Sequence, residues 1–200
     1  VDTELFKPFA CGSPECRKQL DLPKDIPILL TVRRLAARMG LVYLISACAI
    51  IVRRNPSLKF FLVIVGKGEL IEQLKSQITQ NCLQDYIRLT GPVSSSQLPL
   101  YYGAADLFIL PTSSIEGFGL ATAEALSSGL PVLGTPVGGT VEILNAIDSR
   151  LLFKSTTAEA IAAGVEKFLK NPPPFLELKE RCREQAVMNY EWDKVVDRLE

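Results

Sequence analysis

The feature that most constrains the fold of this chain is a repeating unit, in which a short apolar run is followed by a segment of helical periodicity. In the first unit, the β-rich run 27–33 (PILLTVR) precedes the stretch 41–52, whose apolar side chains recur at helical spacing. The later runs are KFFLVIV (59–65), YIRLT (86–90), DLFILP (106–111), PVLGT (131–135) and RLLF (150–153). Runs that are apolar throughout indicate strands covered on both faces. The pattern therefore predicts an α/β fold, a doubly wound parallel sheet of about six strands with helices on both faces.

The two ends of the chain lie outside this alternation. Residues 1–25 are polar and rich in turn-forming residues, whereas one or two helices follow the prolines at 172–174. The last helix of the alternation is expected to start at a capping box formed by Thr156 and Glu159. Because the chain does not begin with Met and no charged and apolar leader precedes Val1, we expect a fragment of a longer protein.

The charge balance narrows the class of partner. Lys plus Arg and Asp plus Glu both total 22, so no net field attracts nucleic acid or an anionic membrane. The longest apolar run, 41–52, falls short of the roughly 20 residues that span a bilayer. We therefore predict a small-molecule partner, no nucleic acid and no membrane span in these residues.

The cysteines and the absence of histidine limit the chemistry. Five cysteines are an odd number in a chain large enough to fold without disulfides, which favours a reducing, cytoplasmic location. Their spacing matches no common zinc pattern, and no histidine is present to complete one. The missing histidine also excludes Ser-His and Cys-His catalysis within these residues. We predict no metal site.

Two glycines follow the second apolar run, in the sequence GKGEL (66–70). A strand-to-helix turn of this kind lets a ligand approach the backbone closely, which makes Gly66 and Gly68 candidate ligand contacts. An equally good interpretation is a tight turn that requires a positive φ at one of them. The motif is too short for the dinucleotide fingerprint G-x-G-x-x-G, and the first run continues as VRRLAARMG (32–40), so a dehydrogenase is disfavoured.

The loop after the fourth run, within SSIEGFGLATAEAL (113–126), is the most informative stretch. A helix starting near Leu120 would present unpaired N–H groups between Gly117 and Leu120, where pyrophosphate would bind well. Glu124, in the first turns of that helix, could accept both hydroxyls of a ribose, while Glu116 could reach a second hydroxyl-bearing group such as a sugar. The alternative is an ordinary pair of solvated carboxylates, one of them favourably near a helix N-terminus.

The segment EGFGLATAEALSSGLPVLGTPVGG (116–139) resembles the signature of family 4 glycosyltransferases, retaining enzymes of the GT-B fold. In that signature two glutamates separated by seven residues flank a Gly-Phe-Gly turn, as Glu116 and Glu124 do here. The resemblance extends to VDTELFKP (1–8), GKGEL (66–70) and LTGPVSSSQLPLYYGAADLFILPT (89–112), and it covers essentially all 200 residues. In combination these motifs are highly specific.

The resemblance implies that the chain is one half of a GT-B enzyme. Residues 1–25 would be the interdomain entry segment and 26–172 the Rossmann-like domain that binds the sugar donor. Residues 173–200 would form C-terminal helices that cross back to a missing N-terminal domain of the same chain. The donor would be a nucleotide-diphosphate sugar with UDP or GDP as the nucleotide. Because the acceptor surface should reside on the missing domain, we expect the isolated 200 residues to bind the donor with little or no transfer.

Carried over residue by residue, the resemblance implies a set of donor contacts. Glu116 would meet the sugar hydroxyls, Glu124 the ribose, and the backbone of Val93 the base. The remaining contacts would come from the backbones of Gly117, Phe118, Gly119 and Leu120, which would meet the sugar and the phosphates, and from the turn at Gly66 and Gly68.

One departure from the family concerns the cations that neutralise the diphosphate. The family places an Arg and, five residues later, a Lys after the first strand; Arg34 matches, but Met39 occupies the Lys position. Our hypothesis is that the adjacent Arg38 supplies the second charge, because arginine suits bidentate phosphate contact, with a solvated surface position as the alternative. For Arg33 we expect a solvated surface position. Glu116 and Arg34 are the candidate catalytic residues.

The family's activity implies transfer of a hexose from the donor to a hydroxyl acceptor, with retention of configuration. No Asp-x-Asp motif occurs, which favours stabilisation of the leaving diphosphate by fixed cations and helix amides, without a metal or other cofactor. Two alternatives stay open: a nucleotide-sugar-binding module without transfer activity, and a UDP-sugar epimerase of the GT-B type. A cytoplasmic location is expected, with peripheral association at the inner membrane face as a further option.

Overall fold

A computed structural model describes residues 1–9, 12–117, 119–171 and 174–196, and a five-stranded sheet lies at its centre. The strands are β1 Ile28–Val32, β2 Phe61–Val65, β3 Ile87–Gly91, β4 Leu107–Leu110 and β5 Val132–Gly134. Their order across the sheet is β3-β2-β1-β4-β5, and every neighbouring pair is parallel. The predicted α/β, doubly wound parallel sheet is therefore confirmed.

The sixth predicted strand is reduced to a single bridge. In place of a strand over 150–153, a 3-10 turn, Ser149–Leu151, is followed by one parallel bridge between Leu152 and Gly134. The run is apolar because Leu151 and Phe153 are buried in the core. A buried turn and a buried strand give the same apolar signal over so few residues, so the sequence pattern does not separate them.

Helices cover both faces of the sheet. They are α1 Gly12–Gln19, α2 Leu41–Arg54, α3 Ile71–Gln80, α4 Leu98–Ala104, α5 Leu120–Ser127, α6 Thr140–Asn145, α7 Ala158–Lys170, α8 Phe175–Asn189 and α9 Trp192–Val196. Helix α2 packs against α3 and α7, whereas α1 packs against α4, and α5 against α8. Every residue of β2 and β4 is buried, while the edge strand β3 is only partly buried after Ile87. The core therefore lies around the central strands.

The sheet reverses its winding direction between β1 and β4. From β1 the chain moves outward to β2 and β3, and it then returns past β1 to form β4 and β5. The loops that leave β1 and β4 therefore run in opposite directions at the carboxyl edge, where ligands bind in folds of this type. Residues 33–40 and the described residues of 111–119 form these two loops.

The first residues of the chain pack against α8. Arg183 Nη1 donates to the carbonyl oxygens of Thr3, Phe6 and Ser127 at 2.9, 3.0 and 2.8 Å, which ties the first residues of the chain to α5 and α8. Trp192 and Val196 of α9 are exposed. Among the described residues, no helix is long and apolar enough to cross a bilayer.

Candidate functional site

A buried ion pair between Arg33 and Glu116 joins the loops that follow β1 and β4. Arg33 Nη2 donates to Glu116 Oε2, and Arg33 Nη1 donates to Thr112 Oγ1. Only 5% of the Arg33 side chain and 9% of the Glu116 side chain are exposed. Burial lowers the pKa of Arg33, and the Glu116 carboxylate opposes that shift. The expectation that Arg33 lies on a solvated surface is wrong, because its partners come from a loop distant in the sequence.

Thr112 completes a closed network around this carboxylate. Its Oγ1 donates to Glu116 Oε2 at 2.7 Å, and its carbonyl oxygen accepts from Thr135 Oγ1 at 2.6 Å. Both donors to Glu116 therefore meet the same oxygen. Within the described residues no donor is paired with the other oxygen, Oε1, which would lie 3.8 Å from a methyl group placed on Gly119. The protein thus holds this carboxylate through Oε2.

Helix α5, which follows Glu116, begins without a side-chain cap. Its N-cap residue, Gly119, has a φ of 74°, and within the described part of the chain the N–H groups of Gly119, Leu120 and Ala121 have no acceptor. The Thr122 hydroxyl in the first turn is buried and likewise has no partner there. Unpaired amides at a helix N-terminus carry partial positive charge, so this end of α5 favours an anion.

The glycines around Glu116 differ in their surroundings. At Gly138, with a φ of 54°, a methyl group would lie 1.9 Å from the Glu116 carbonyl oxygen, so the loop after β5 requires glycine to pack here. Gly139 N donates to the Gly117 carbonyl oxygen at 3.2 Å. A methyl group on Gly117 would meet no atom within 4 Å, which leaves open space beside this backbone. The predicted contact at Phe118 lies outside the described residues.

Glu124 lies in the second turn of α5 and is held by a tyrosine of α4. The Tyr102 hydroxyl donates to Glu124 Oε2 at 2.7 Å, and the tyrosine ring stacks on Phe108 in the core. Burial raises the pKa of Glu124, whereas the Tyr102 hydrogen bond and the positive amino group of Val1 oppose that rise. Glu124 is therefore a partly buried carboxylate whose orientation is fixed through one oxygen.

A cleft of about 360 Å³ opens at the carboxyl ends of β1, β2 and β3. Its lining includes Arg33, Arg34, Gly66, Lys67 and Val93, so the structure brings together predicted residues from three separate loops. The Arg34 and Lys67 side chains are exposed, and neither forms an ion pair within the described ranges. The volume falls at the lower end of the range for small-molecule sites.

The structure gives both glycines of the β2 turn a packing role. A methyl group on Gly66, whose φ is 145°, would lie 1.8 Å from the Arg33 carbonyl oxygen, and one on Gly68 would lie 2.3 Å from the Leu35 carbonyl oxygen. The turn is thus pressed against the loop after β1, and Gly66 N donates to the Gly91 carbonyl oxygen at 3.0 Å. Ligand contact at Gly66 and Gly68 stays a prediction.

Arg38 and Met39 have opposite environments in the 3-10 turn Ala37–Met39. Met39 is buried, whereas Arg38 is exposed and its Nη1 donates to the Ile115 carbonyl oxygen at 2.8 Å. Ile115 has a φ of 53°, a conformation that costs energy in a β-branched residue, and it is 78% exposed. Arg38 therefore supports the loop that precedes Glu116, and its contact with a diphosphate stays a prediction.

Three further side chains of this region were not among the predicted residues. Thr112 and Lys67 each lie just after a strand at the carboxyl edge, so their position alone could have identified them. Tyr102 carries no comparable signal, because nothing near it in the sequence points to Glu124. In residues 1–9, 12–117, 119–171 and 174–196, no group of three or more Cys, Asp or Glu side chains could hold a metal ion.

Comparison with known proteins places this geometry in context. Residues 12–187 match the family described as "Glycosyl transferases group 1". The chain is similar to the GDP-mannose-dependent alpha-(1-6)-phosphatidylinositol monomannoside mannosyltransferase of Mycobacterium tuberculosis, with 28% identity over 206 residues. That match covers 100% of this chain and 52% of the relative. The chain spans about half the length of the curated relatives it matches.

Solved structures share the fold. Anabaena HepE in complex with UDP-glucose matches 100% of this chain and 54% of its own, with a TM-score of 0.86 and 20% identity. The C-terminal domain of a group 1 glycosyl transferase family protein from Francisella tularensis matches 96% of this chain and 99% of its own, with a TM-score of 0.81 and 21% identity. These likenesses agree with the predicted GT-B half.

Proposed function

The chain belongs to the group 1 glycosyl transferases. From this premise we propose that its carboxyl edge is the nucleotide-sugar donor site of a retaining, metal-independent hexosyltransferase. One observation carries the proposal. The Glu116 carboxylate is held rigidly beside the uncapped N-terminus of α5, with one oxygen open to a ligand. A fixed acceptor of hydroxyl hydrogen bonds next to an anion site suits a sugar that is joined to a phosphate.

The diphosphate would lie between the cleft and α5. The uncapped amides from Gly119 to Ala121 would receive phosphate oxygens, and the buried Thr122 hydroxyl could add a donor. Arg34 would balance the remaining charge from the cleft, with exposed Lys67 as a further cation. Arg38 would join them through guanidinium N–H groups other than the one that donates to the Ile115 carbonyl oxygen.

The two glutamates would hold the hydroxyls on either side of the diphosphate. Glu116 Oε1 would accept from the sugar, and Glu124 would accept from the ribose through the oxygen that Tyr102 does not occupy. The base would lie near Val93, in the cleft at the end of β3. Because the protein holds each carboxylate through its other oxygen, ligand binding requires little reordering of either side chain.

In the proposed reaction, the bond between the sugar C1 and the phosphate oxygen breaks, and an acceptor oxygen bonds to C1 on the same face. The departing phosphate receives the bonding electrons and takes the acceptor's proton. Fixed amides and guanidinium groups stabilise the negative charge that develops on this phosphate, an effect of about 3 kcal/mol for one well-placed donor. No metal is required for this stabilisation.

The domain boundaries belong to the same proposal. Residues 26–172 would be the donor-binding domain, and 1–25 and 173–200 would connect it to an N-terminal domain that carries the acceptor surface. The chain's span of about half the relatives' length supports this division, as does its match to a separately solved C-terminal domain. The isolated chain would bind UDP- or GDP-sugars without appreciable transfer, and the whole protein would act in the cytoplasm or at the inner membrane face.

A ligand panel tests donor binding directly. UDP, GDP, UDP-glucose and GDP-mannose would each be added to the 200-residue chain, and thermal unfolding would be recorded. A ligand at about 100 times its dissociation constant should add roughly 2.7 kcal/mol of stability. Glu124→Gln is the matched variant, which should reduce the response to nucleotides that carry ribose. If none of the four ligands raises the melting temperature, the proposal is refuted.

Product analysis separates transfer from the two alternatives. The protein that contains both domains would be incubated with the nucleotide sugar that binds best, and products would be identified by mass spectrometry and NMR. A glycosylated acceptor with retained anomeric configuration is expected. An epimerised nucleotide sugar would indicate an epimerase, and binding without any product would indicate a binding module.

A further inference from the structure

Two arginines that follow β1 hold the loop that follows β4. Arg33 binds the Glu116 carboxylate, and Arg38 binds the Ile115 carbonyl oxygen. The main chain adds a third link, because Ser113 N donates to the Arg38 carbonyl oxygen at 3.0 Å. The position of Glu116 is therefore set by residues more than 75 positions earlier in the sequence.

The contacts of Arg33 differ from those of an ordinary surface arginine. Its side chain is 5% exposed, and its planar fork spans two acceptors, Glu116 Oε2 and Thr112 Oγ1. The Thr112 hydroxyl donates a hydrogen bond to the same carboxylate oxygen. This closed ring of three side chains holds the carboxylate in one orientation, because turning the carboxylate away from Arg33 would leave a buried charge unpaired.

We propose that Arg33 is a positioning residue that fixes the Glu116 carboxylate with Oε1 turned toward the donor sugar. The inference rests on the proposed function. It gives Arg33 a role in the site, whereas the sequence predicts a solvated surface position. Without Arg33, Glu116 would have to be ordered when the sugar binds, and that ordering would weaken binding of the sugar specifically. The nucleotide part of the donor would be affected much less.

The competing role for Arg33 is direct contact with the diphosphate, since Arg33 also lines the cleft. The two roles predict different patterns of affinity. A phosphate contact contributes at least as much to a nucleoside diphosphate as to its sugar derivative, because the terminal phosphate of the former carries an additional negative charge. A positioning residue for Glu116 contributes only when a sugar is present. The ratio of the two dissociation constants therefore separates the roles.

Titration calorimetry on the 200-residue chain would measure this ratio with UDP and UDP-glucose, and with GDP and GDP-mannose. Arg33→Ala should lower the affinity for the nucleotide sugar, relative to that for the nucleoside diphosphate, by about tenfold. This is the loss expected for one hydrogen bond to a charged group. The affinity for the nucleoside diphosphate itself should fall by a smaller factor, which reflects only the lost positive charge near the diphosphate. An equal or larger loss for the nucleoside diphosphate, or no loss for either ligand, would overturn the proposal.

A double-mutant cycle shows whether Arg33 acts through Glu116. In a Glu116→Gln background, Arg33→Ala should leave the ratio unchanged, because the group that Arg33 positions is already altered. A further fall of the ratio in that background would contradict the proposal. Arg150→Ala, which removes an exposed arginine paired with Asp148, serves as the control for arginine loss and should leave both affinities unchanged.

Two milder variants keep the test valid if Arg33→Ala does not fold. Arg33→Lys keeps the positive charge but lacks the planar guanidinium, and Thr112→Val keeps the side-chain shape but lacks the hydroxyl. Both should lower the affinity for the nucleotide sugar relative to that for the nucleoside diphosphate. Circular dichroism would establish that each variant is folded. If the unmodified chain binds none of the four ligands, the proposed function fails. If it binds them and no variant changes the ratio, the positioning role alone fails.

Discussion

The substitution Gly66→Ala tests whether the carboxyl edge depends on close contact between neighbouring loops. A methyl group on Gly66 would lie 1.8 Å from the Arg33 carbonyl oxygen, so the two backbones must separate by about 1.6 Å to reach an ordinary contact of 3.4 Å. That separation strains the hydrogen bonds from Arg33 N to Val65 O and from Gly66 N to Gly91 O, 2.9 and 3.0 Å long.

The expected loss of stability combines two costs. A φ of 145° is a conformation almost restricted to glycine and costs alanine about 1–3 kcal/mol. Forcing a methyl group against a backbone adds about 1–3 kcal/mol through shifted atoms and weakened hydrogen bonds. We therefore expect Gly66→Ala to lower the free energy of unfolding by about 2–6 kcal/mol, a large fraction of the roughly 5–15 kcal/mol typical of domains.

Gly91→Ala is the matched control at the end of the neighbouring strand. Gly91 also has a positive φ, 77°, but a methyl group there would meet no atom within 4 Å. It should cost only about 1–2 kcal/mol for the left-handed conformation. The smaller entropy of alanine in the unfolded chain benefits both variants alike, so their difference isolates the contact with Arg33.

Urea unfolding followed by circular dichroism would measure both variants, and thermal unfolding would supplement it. The difference between them, about 1–3 kcal/mol for the contact with Arg33, should separate their melting temperatures by roughly 2–12 °C in a chain of this size. If the two free energies agree within about 0.5 kcal/mol, the close approach at Gly66 is not a structural requirement, and the reasoning is refuted.

Three further predictions concern the site. In the native protein the Tyr102 hydroxyl donates to Glu124 and thereby lowers the pKa of Glu124. Tyr102→Phe removes this hydroxyl, so the pKa of Glu124 should rise further above its usual value. In the proposed donor site the ionised carboxylate would accept the ribose hydroxyls, so UDP or GDP binding should weaken as pH falls through this pKa. Calorimetry between about pH 4 and 7 should show the loss at higher pH in the variant; an unchanged pH profile would contradict this. Arg38→Ala removes the bond to the Ile115 carbonyl oxygen, so amide hydrogen exchange over 113–117 should accelerate while the melting temperature changes little, and nucleoside diphosphate binding should weaken; unchanged binding would refute its role as the second cation. Removal of divalent metals with EDTA should leave nucleotide-sugar binding intact in calorimetry, and a lost binding signal that Mg²⁺ restores would refute metal independence.

Much of the fold could be predicted because short-range geometry controls it. The apolar runs at 59–65 and 106–111 contain the buried strands β2 and β4, because a strand covered on both faces has apolar side chains at every position. The loop of Glu116 was placed at the carboxyl edge for the same reason, since parallel strands end together. Local signals predict the first residue of a helix less well. The sequence predicts Thr156 as the N-cap of α7, whereas the N-cap is Thr157, whose hydroxyl accepts from Ala160 N.

The sequence by itself determined most of the strands and helices, and which loops meet at one edge, although it did not separate the turn at 149–151 from a strand. Only the tertiary structure decided which way the side chains at that edge point. Arg33 turns inward because Glu116 and Thr112 lie opposite it, and Glu124 is held by Tyr102 from another helix. These partners are distant in the sequence, and the free energy of a buried charge depends on the group that faces it. No local pattern around Arg33 contains that information.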